Sequence, residues 1–388
     1  MAENNLPRYV ASGTYGCVMR PAVNCENTKK MQKTKPVPVP SISKLFTDAK
    51  DALEEFDMHS LMTRIDPRGI FTIQIRGKCV VPSDKFVMSE LKKCNEDDDK
   101  VLFVKQKEFH QIVFEDGGRD LDLNFKTLQK GLEEENQVGF KELFVGMHSI
   151  FDGLVLMAKN NLSHLDIKPD NIVYNQKTMK MSLIDFGLCQ PIDVIYTPAF
   201  DKAYYKHPYI YYPPEFVVFE NAKLNNRNFI GMMKMFGALK HDFGPDFEAF
   251  LWNDWHEMLD NFNPDDFIKN KWGNVIDVYM MGVTLFQLWI CLPRDDLCNA
   301  KPFIQDFITL VVGMIRLNPK YRYTPENARD EYNKLVAKWN LDNSASAKIK
   351  SPVIKNIKSL VIKKPCPPGQ MRHPETKRCR KVKPTNIK

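Results

Sequence analysis

His164-Leu165-Asp166-Ile167-Lys168-Pro169-Asp170-Asn171, followed by Met181-Ser182-Leu183-Ile184-Asp185-Phe186-Gly187, decides how this chain is read. Upstream, Phe140, Leu143, Phe144, Met147, Ile150, Phe151, Leu154 and Val155 recur at helical spacing on one face. A long helix ending near Asn161 therefore delivers the chain into a short polar loop. Asn171 follows Asp166 by five residues, so both side chains reach one site from one loop. Met181 to Ile184 reads as a short buried strand that presents Asp185 at its end.

Farther out, Tyr9 to Val18 alternates and contains glycine, as a strand-turn-strand does. Asn24 to Pro40 is polar and carries Pro36, Pro38 and Pro40, which predicts a loop. Ile42 to Phe46 predicts a strand. Asp48 to Ile65 predicts a helix with Leu53, Phe56, Leu61 and Ile65 as its apolar positions. Phe71 to Val81 and Phe109 to Phe114 predict strands, and the polar stretch from Ser89 to Lys100 an exposed loop. After Gly117-Gly118 the pattern turns helical, with apolar helices over 275–291 and 303–317. The expected fold class is α+β: a small β-rich lobe over 1–116, a larger helical lobe over 117–342, and a basic Cys-containing tail over 343–388.

Hydrophobic residues make up 43% of the 388, enough for a sizeable core. The net charge of +7 is unevenly placed. Residues 344–388 hold thirteen Lys/Arg and one acid, a balance of +12 that leaves −5 on residues 1–343. Such a tail points to an acidic partner, whether nucleic acid, an anionic membrane surface or an acidic protein face; a solvated segment is the plainer reading. No apolar run of the length a membrane span needs is expected, and no secretory signal. Nine cysteines, odd in number and dispersed, predict free thiols in a reducing compartment.

Phosphoryl transfer needs a carboxylate to orient the nucleophile, oxygen donors for Mg²⁺, a cation on the phosphates and backbone amides over them. Each has a candidate here. The H-x-D-x-K-x-x-x-N pattern and the following D-F-G resemble the signature set of eukaryotic-type serine/threonine protein kinases over residues 6–340. The resemblance implies ATP and Mg²⁺ as cofactors and a protein substrate. It makes Asp166 the catalytic base, with Asn171 and Asp185 on the metal; Lys168, two residues after Asp166, would neutralise the transferred phosphate. Ala11-Ser12-Gly13-Thr14-Tyr15-Gly16-Cys17-Val18 resembles the glycine-rich loop, with Ala11 in the first glycine position. Lys44 stands where the strand lysine stands, after a longer gap that the insert Asn24–Pro40 explains. Glu55 suits it as a helix partner better than Glu54, because Met58 and Met62 then face the core. Ile112 to Leu121 resembles the hinge: Phe114 would be the bulky residue at the back of the pocket, Glu115 and Gly117 would offer backbone contacts to adenine, and Asp120 would reach the ribose. Pro213-Pro214-Glu215 with Arg322, and Asp277, resemble the family's bracing pairs.

Departures accompany these matches. Leu165 replaces the arginine that receives an activation-loop phosphate, which implies activity independent of such phosphorylation. Pro208 stands where many relatives have a threonine, and residues 217–270 form an insertion in which Phe247, Phe250, Leu251, Trp255 and Leu259 predict an amphipathic helix. Cys366 and Cys379 with His373 between them make a poor zinc set; a hairpin with a disulfide or two thiols is the expected form. The C-P-P-G…C module and the Ser43-Lys44-Leu45-Phe46 and Ile65-Asp66-Pro67 phrases resemble proteins of large nucleocytoplasmic DNA viruses, which implies host cytoplasm or the virion as location. Three rival functions stand beside the leading one: a pseudokinase scaffold, a virion or nucleic-acid-binding protein acting through the tail, and a small-molecule phosphotransferase.

Overall fold

A computed structural model of the chain describes residues 6–13, 16–25, 41–97, 108–129, 139–197, 200, 210–216, 246–261, 263–291, 301–341, 370–372 and 379–381. These divide into two compact units: Met1–Leu156 with Asp166–Cys189 and Thr284–Asp295, and Met157–Leu165 with Gln190–Val283 and Asp296–Lys388.

The first unit is built on β1 (Arg8–Gly13), β2 (Gly16–Arg20), β3 (Ser41–Phe46), β4 (Ile75–Pro82) and β5 (Glu108–Glu115), an antiparallel sheet in the order β1-β2-β3-β5-β4. Alternation along β3 sends neighbouring side chains to opposite faces. Leu45 joins Cys17, Met19, Val81 and Phe109 beneath helix α2 (Lys85–Asp97), which contributes Val87, Leu91 and Cys94. Phe46, Ile112 and Phe114 pack on the other face with Ala52 of helix α1 (Ala49–Ile65). Asp48 caps α1 by accepting from the Lys50 amide at 2.6 Å. Beyond its C-terminus Asp66 accepts from the Ile70, Phe71 and Thr72 amides and from Thr72 Oγ1, all within 3.0 Å. That buried carboxylate fixes the turn leading to β4.

Three expectations change here. Residues 89–97 are helix, not an exposed loop: Val87, Leu91 and Cys94 lie on one helical face that the surrounding Lys, Glu and Asn residues mask in the sequence. The buried face of α1 carries Ala52, His59, Leu61, Met62 and Ile65, while Leu53 is 39% exposed. Four cysteines are not free thiols. Cys17–Cys94 and Cys25–Cys79 are disulfides with Cα separations of 6.1 and 5.9 Å, joining β2 to α2 and the segment after β2 to β4. Strand register and helix docking bring these cysteines together, and neither is visible in their spacing. Cys189 is buried and belongs to neither disulfide.

The same unit holds β6 (Arg119–Asp120), α3 (Leu121–Gln129), α4 (Phe140–Gly146), most of α5 (His148–Lys159), β8 (Ile172–Asn175) and β9 (Lys180–Leu183). The expected single helix over 140–155 is two, α4 and α5, broken at Met147. Ser149 there donates to the Met181 carbonyl at 2.7 Å and so ties the start of α5 to β9. Strands β6, β8 and β9 form a small antiparallel sheet.

The second unit contains β7 (Leu162–Ser163) paired with β10 (Gln190–Pro191), and helices α6 (Asp246–Asp260), α7 (Pro264–Lys269), the first part of α8 (Ile276–Cys291), α9 (Lys301–Met314) and α10 (Pro325–Lys338). Helical residues 272–290 are long and apolar enough to cross a membrane by length and composition, but 83% of that window is buried inside the protein, as in a core helix. The helix expected in the insertion is α6; Leu251, Trp255 and Met258 are buried, and Asp254 accepts from Arg316 (3.1 and 2.7 Å) and from the Asn318 amide (3.1 Å). Insertion residues 217–245, Pro208, Cys366 and His373 lie outside the described residues. Of the basic tail, β11 (Gln370–Arg372) and β12 (Cys379–Lys381) are described, and they pair as a hairpin.

Candidate active site

Asp166, Lys168, Asn171 and Asp185 all belong to the first unit. A short 3-10 turn, Pro169–Asn171, follows the loop and positions Asn171 at the start of β8. Its Nδ2 donates to Asp166 Oδ2 at 2.7 Å and to the Asp166 carbonyl at 2.9 Å. Lys168 Nζ lies 3.0 Å from Asp166 Oδ2. The Ile184 amide donates to the Asn171 carbonyl at 3.0 Å, which sets Asn171 beside the end of β9 where Asp185 follows. Asp185 has φ +58° and ψ 72°, a left-handed conformation in a non-glycine residue, and accepts from the Gly187 amide at 3.3 Å. Phe186 behind it is buried.

Lys44 on β3 reaches Glu55 on α1 at 2.6 Å, the pair the sequence nominated, and both side chains are 11% exposed. Burial raises the Glu55 carboxyl above its ordinary value; Lys44 opposes the rise and Asp185 adds to it. Burial also raises Asp166, against the pull of Lys168 and Asn171 and with a further push from Asp185. Asp185 thus lies near enough to Glu55 and to Asp166 to raise both carboxyls.

Ala11, Gly13, Gly16 and Val18 form the expected hairpin: Ala11 lies opposite Val18 and Gly13 opposite Gly16, and Val18 neighbours Lys44 on the next strand. Gly16 has a second reason to be glycine, since a Cβ there would run into the Leu45 carbonyl of β3. Glu115 and Gly117 lie at the end of β5. The Glu115 amide already donates to the Gln74 carbonyl at 2.9 Å, so a base contact from Glu115 falls to its carbonyl. A Cβ on Gly117 would meet Val173 and Ile73. Asp120 accepts from the Leu123 amide at 2.7 Å, and burial raises its carboxyl.

The donor set suits Mg²⁺. Asn171 directs its amide hydrogens at Asp166, which leaves Oδ1 as the acceptor end, and Asp185 supplies a carboxylate from the adjoining strand. Two hard oxygen donors with room for water and phosphate oxygens are what Mg²⁺ takes.

In the second unit, the Glu215 and Arg322 side chains are fully buried and paired bidentately at 2.7 and 2.9 Å. Asp277 accepts from the His164 amide at 2.6 Å and the Leu165 amide at 3.0 Å, fixing the two residues that precede Asp166. Leu165 is buried, with φ +64°. Two residues went unnoticed in the sequence. His59 sits between Phe114 (ring centroids 4.8 Å apart) and Phe186 (5.3 Å, edge-on). Arg20 binds the segment after β5. No spacing rule marks either one; helical phase from Glu55 would have placed His59 on its face of α1.

In comparison with known proteins, residues 100–228 match the family model described as the protein kinase domain. Among curated proteins, a titin homolog of Caenorhabditis elegans is 36% identical over 69 residues, 18% of this chain and 0% of the relative to the nearest per cent. A cell division cycle 7-related protein kinase of Mus musculus is 36% identical over 55 residues, 14% of this chain and 10% of the relative. A probable serine/threonine-protein kinase cdc7 of Dictyostelium discoideum is 43% identical over 44 residues, 11% and 4% of the two chains. The matched stretches thus span a tenth or less of these relatives.

Proposed function

We propose that this chain is an ATP- and Mg²⁺-dependent kinase that transfers the γ-phosphate to serine or threonine hydroxyls of protein substrates. The observation that carries the reading is the cluster of Asp166, Lys168 and Asn171, bonded to one another within 3.0 Å, with Asp185 at the adjoining strand end. Asp166 accepts the proton of the attacking hydroxyl as its oxygen bonds to the γ-phosphorus and the bond to the nucleotide's β–γ bridging oxygen breaks. Lys168 stabilises the charge on the phosphoryl group in transit, and Lys44, held by Glu55, faces the other phosphates. Bound Mg²⁺ supplies charge neutralisation on the phosphate oxygens. Asn171 and Asp185 would hold it. The hairpin at Ala11, Gly13, Gly16 and Val18 covers the nucleotide, Glu115 and Gly117 take the base, and Asp120 the ribose. In this reading 1–116 and 117–342 are the two kinase lobes. Lys168 and Phe186-Gly187 favour a protein over a small-molecule acceptor.

Transfer of labelled phosphate from ATP is the direct test. Asp166→Asn is expected to lower turnover at least about a hundredfold, the usual scale for a general base, while ATP-dependent thermal stabilisation persists. Undiminished transfer by the variant would sink the assignment. Stabilisation by ATP without transfer in the wild type would favour the pseudokinase reading.

A further inference from the structure

Arg20 ends β2, two residues after Val18. Its Nη2 donates to Asp116 Oδ1 at 2.8 Å and to the Gly118 carbonyl at 2.6 Å. The same Asp116 oxygen accepts from the Gly118 amide at 2.9 Å. From the other side, Asn175 at the end of β8 donates to the Asp116 carbonyl at 3.0 Å. Gly118 has φ +95°, and a Cβ there would run into the Tyr174 carbonyl. Residues 116–118 are thus gripped by β2, by β8 and by their own turn.

We infer that Arg20 is a positioning residue for nucleotide binding: it locks the strand that carries the glycine hairpin to the segment that receives the base. The inference rests on the kinase reading above and names a residue which that reading leaves out. The Arg20 and Asp116 side chains are 38% and 14% exposed, so their pairing adds little to overall stability. Its effect is geometric. Val18 and Gly117 hold one separation because β2 and the turn share a two-pronged contact. Both contacts are made by the one Nη2 nitrogen, which the longer arginine side chain carries to a point between carboxylate and carbonyl; the shorter lysine reaches it less well.

The experiment uses the full chain and ATP with Mg²⁺. Arg20→Gln is expected to raise the Kd and KM for ATP about five- to tenfold, the scale of one charge-assisted hydrogen bond, with a much smaller change in kcat. Arg20→Lys should fall between the variant and wild type. Asp116→Asn, which keeps an acceptor for the Gly118 amide but drops the charge, should raise Kd in the same direction. In the nucleotide-free protein, the Gly117 and Gly118 amides of Arg20→Gln should exchange hydrogen faster than those of the wild type. Wild-type binding of ATP with Kd unchanged within about twofold in Arg20→Gln overturns the clamp and leaves the kinase reading intact. A lowered melting temperature without any nucleotide-specific loss also overturns it. Failure of the wild type to bind ATP removes the kinase reading and the clamp with it.

Discussion

Asp277 is buried, and burial pushes its carboxyl from the ordinary 3.8 up to about 6 despite the amides of His164 and Leu165 that bond it. The folded state therefore holds this proton more tightly than the unfolded chain. Between pH 4 and 6 the group costs stability as pH rises, and above pH 6 the cost is complete, about 3 kcal/mol at most. Asp277→Asn has no such titration. Urea unfolding of the two proteins is expected to show the variant gaining on the wild type as pH rises from 4 to 6; a constant difference would contradict the burial argument. Asp166 and Glu55 are displaced in the same direction, again chiefly by burial. In the proposed transfer, ionised Asp166 forms at a higher pH than an ordinary aspartate, so activity is expected to fade on acidification sooner than a free carboxylate would dictate.

At the scale of elements, the two disulfides are the largest departure from what the sequence suggests. They enclose 77 and 54 residues, and each is expected to contribute about 2–4 kcal/mol, mainly by restricting the unfolded chain. Urea midpoints of Cys17→Ser and Cys25→Ser should fall accordingly under non-reducing conditions, and dithiothreitol should destabilise the wild type but not the double variant. Equal midpoints with and without reductant would show the thiols free. Elements with strong alternation or a clear apolar stripe were legible in the sequence: β1, β2, β3, β5, α8 and α9. Helix α2 was not, because Val87, Leu91 and Cys94 are diluted among charged neighbours. The loop around Asp166, Asp185 and the Lys44–Glu55 pair were legible because the proposed phosphoryl transfer prescribes both residue type and order. Arg20 was not, since its role depends on the register that ends β2 beside residues 116–118. The Cys pairs were hidden for the same reason.

Across the whole molecule, charge is segregated. Residues 344–388 carry +12 and the preceding 343 residues −5. We propose an acidic partner for the tail from that contrast, and a polyanion such as nucleic acid is the simplest test. Binding is expected to weaken steeply with salt, because each neutralised phosphate releases counterions. Deletion of 344–388 should remove binding while phosphate transfer to a small peptide persists. Binding that survives the deletion, or ignores salt, would place the contact elsewhere.

The described residues on either side of 26–40 are tied to the sheet. Cys25 is bridged to β4, and the Ala22 amide donates to the carbonyl of Ser41 at 3.2 Å. Lengthening a tethered stretch of this kind costs only about 0.6 kcal/mol per doubling. The number of residues between the glycine hairpin and Lys44 is therefore nearly free to drift during evolution. An engineer could use the same freedom, placing a tag or reporter there without disturbing the strand that carries the lysine.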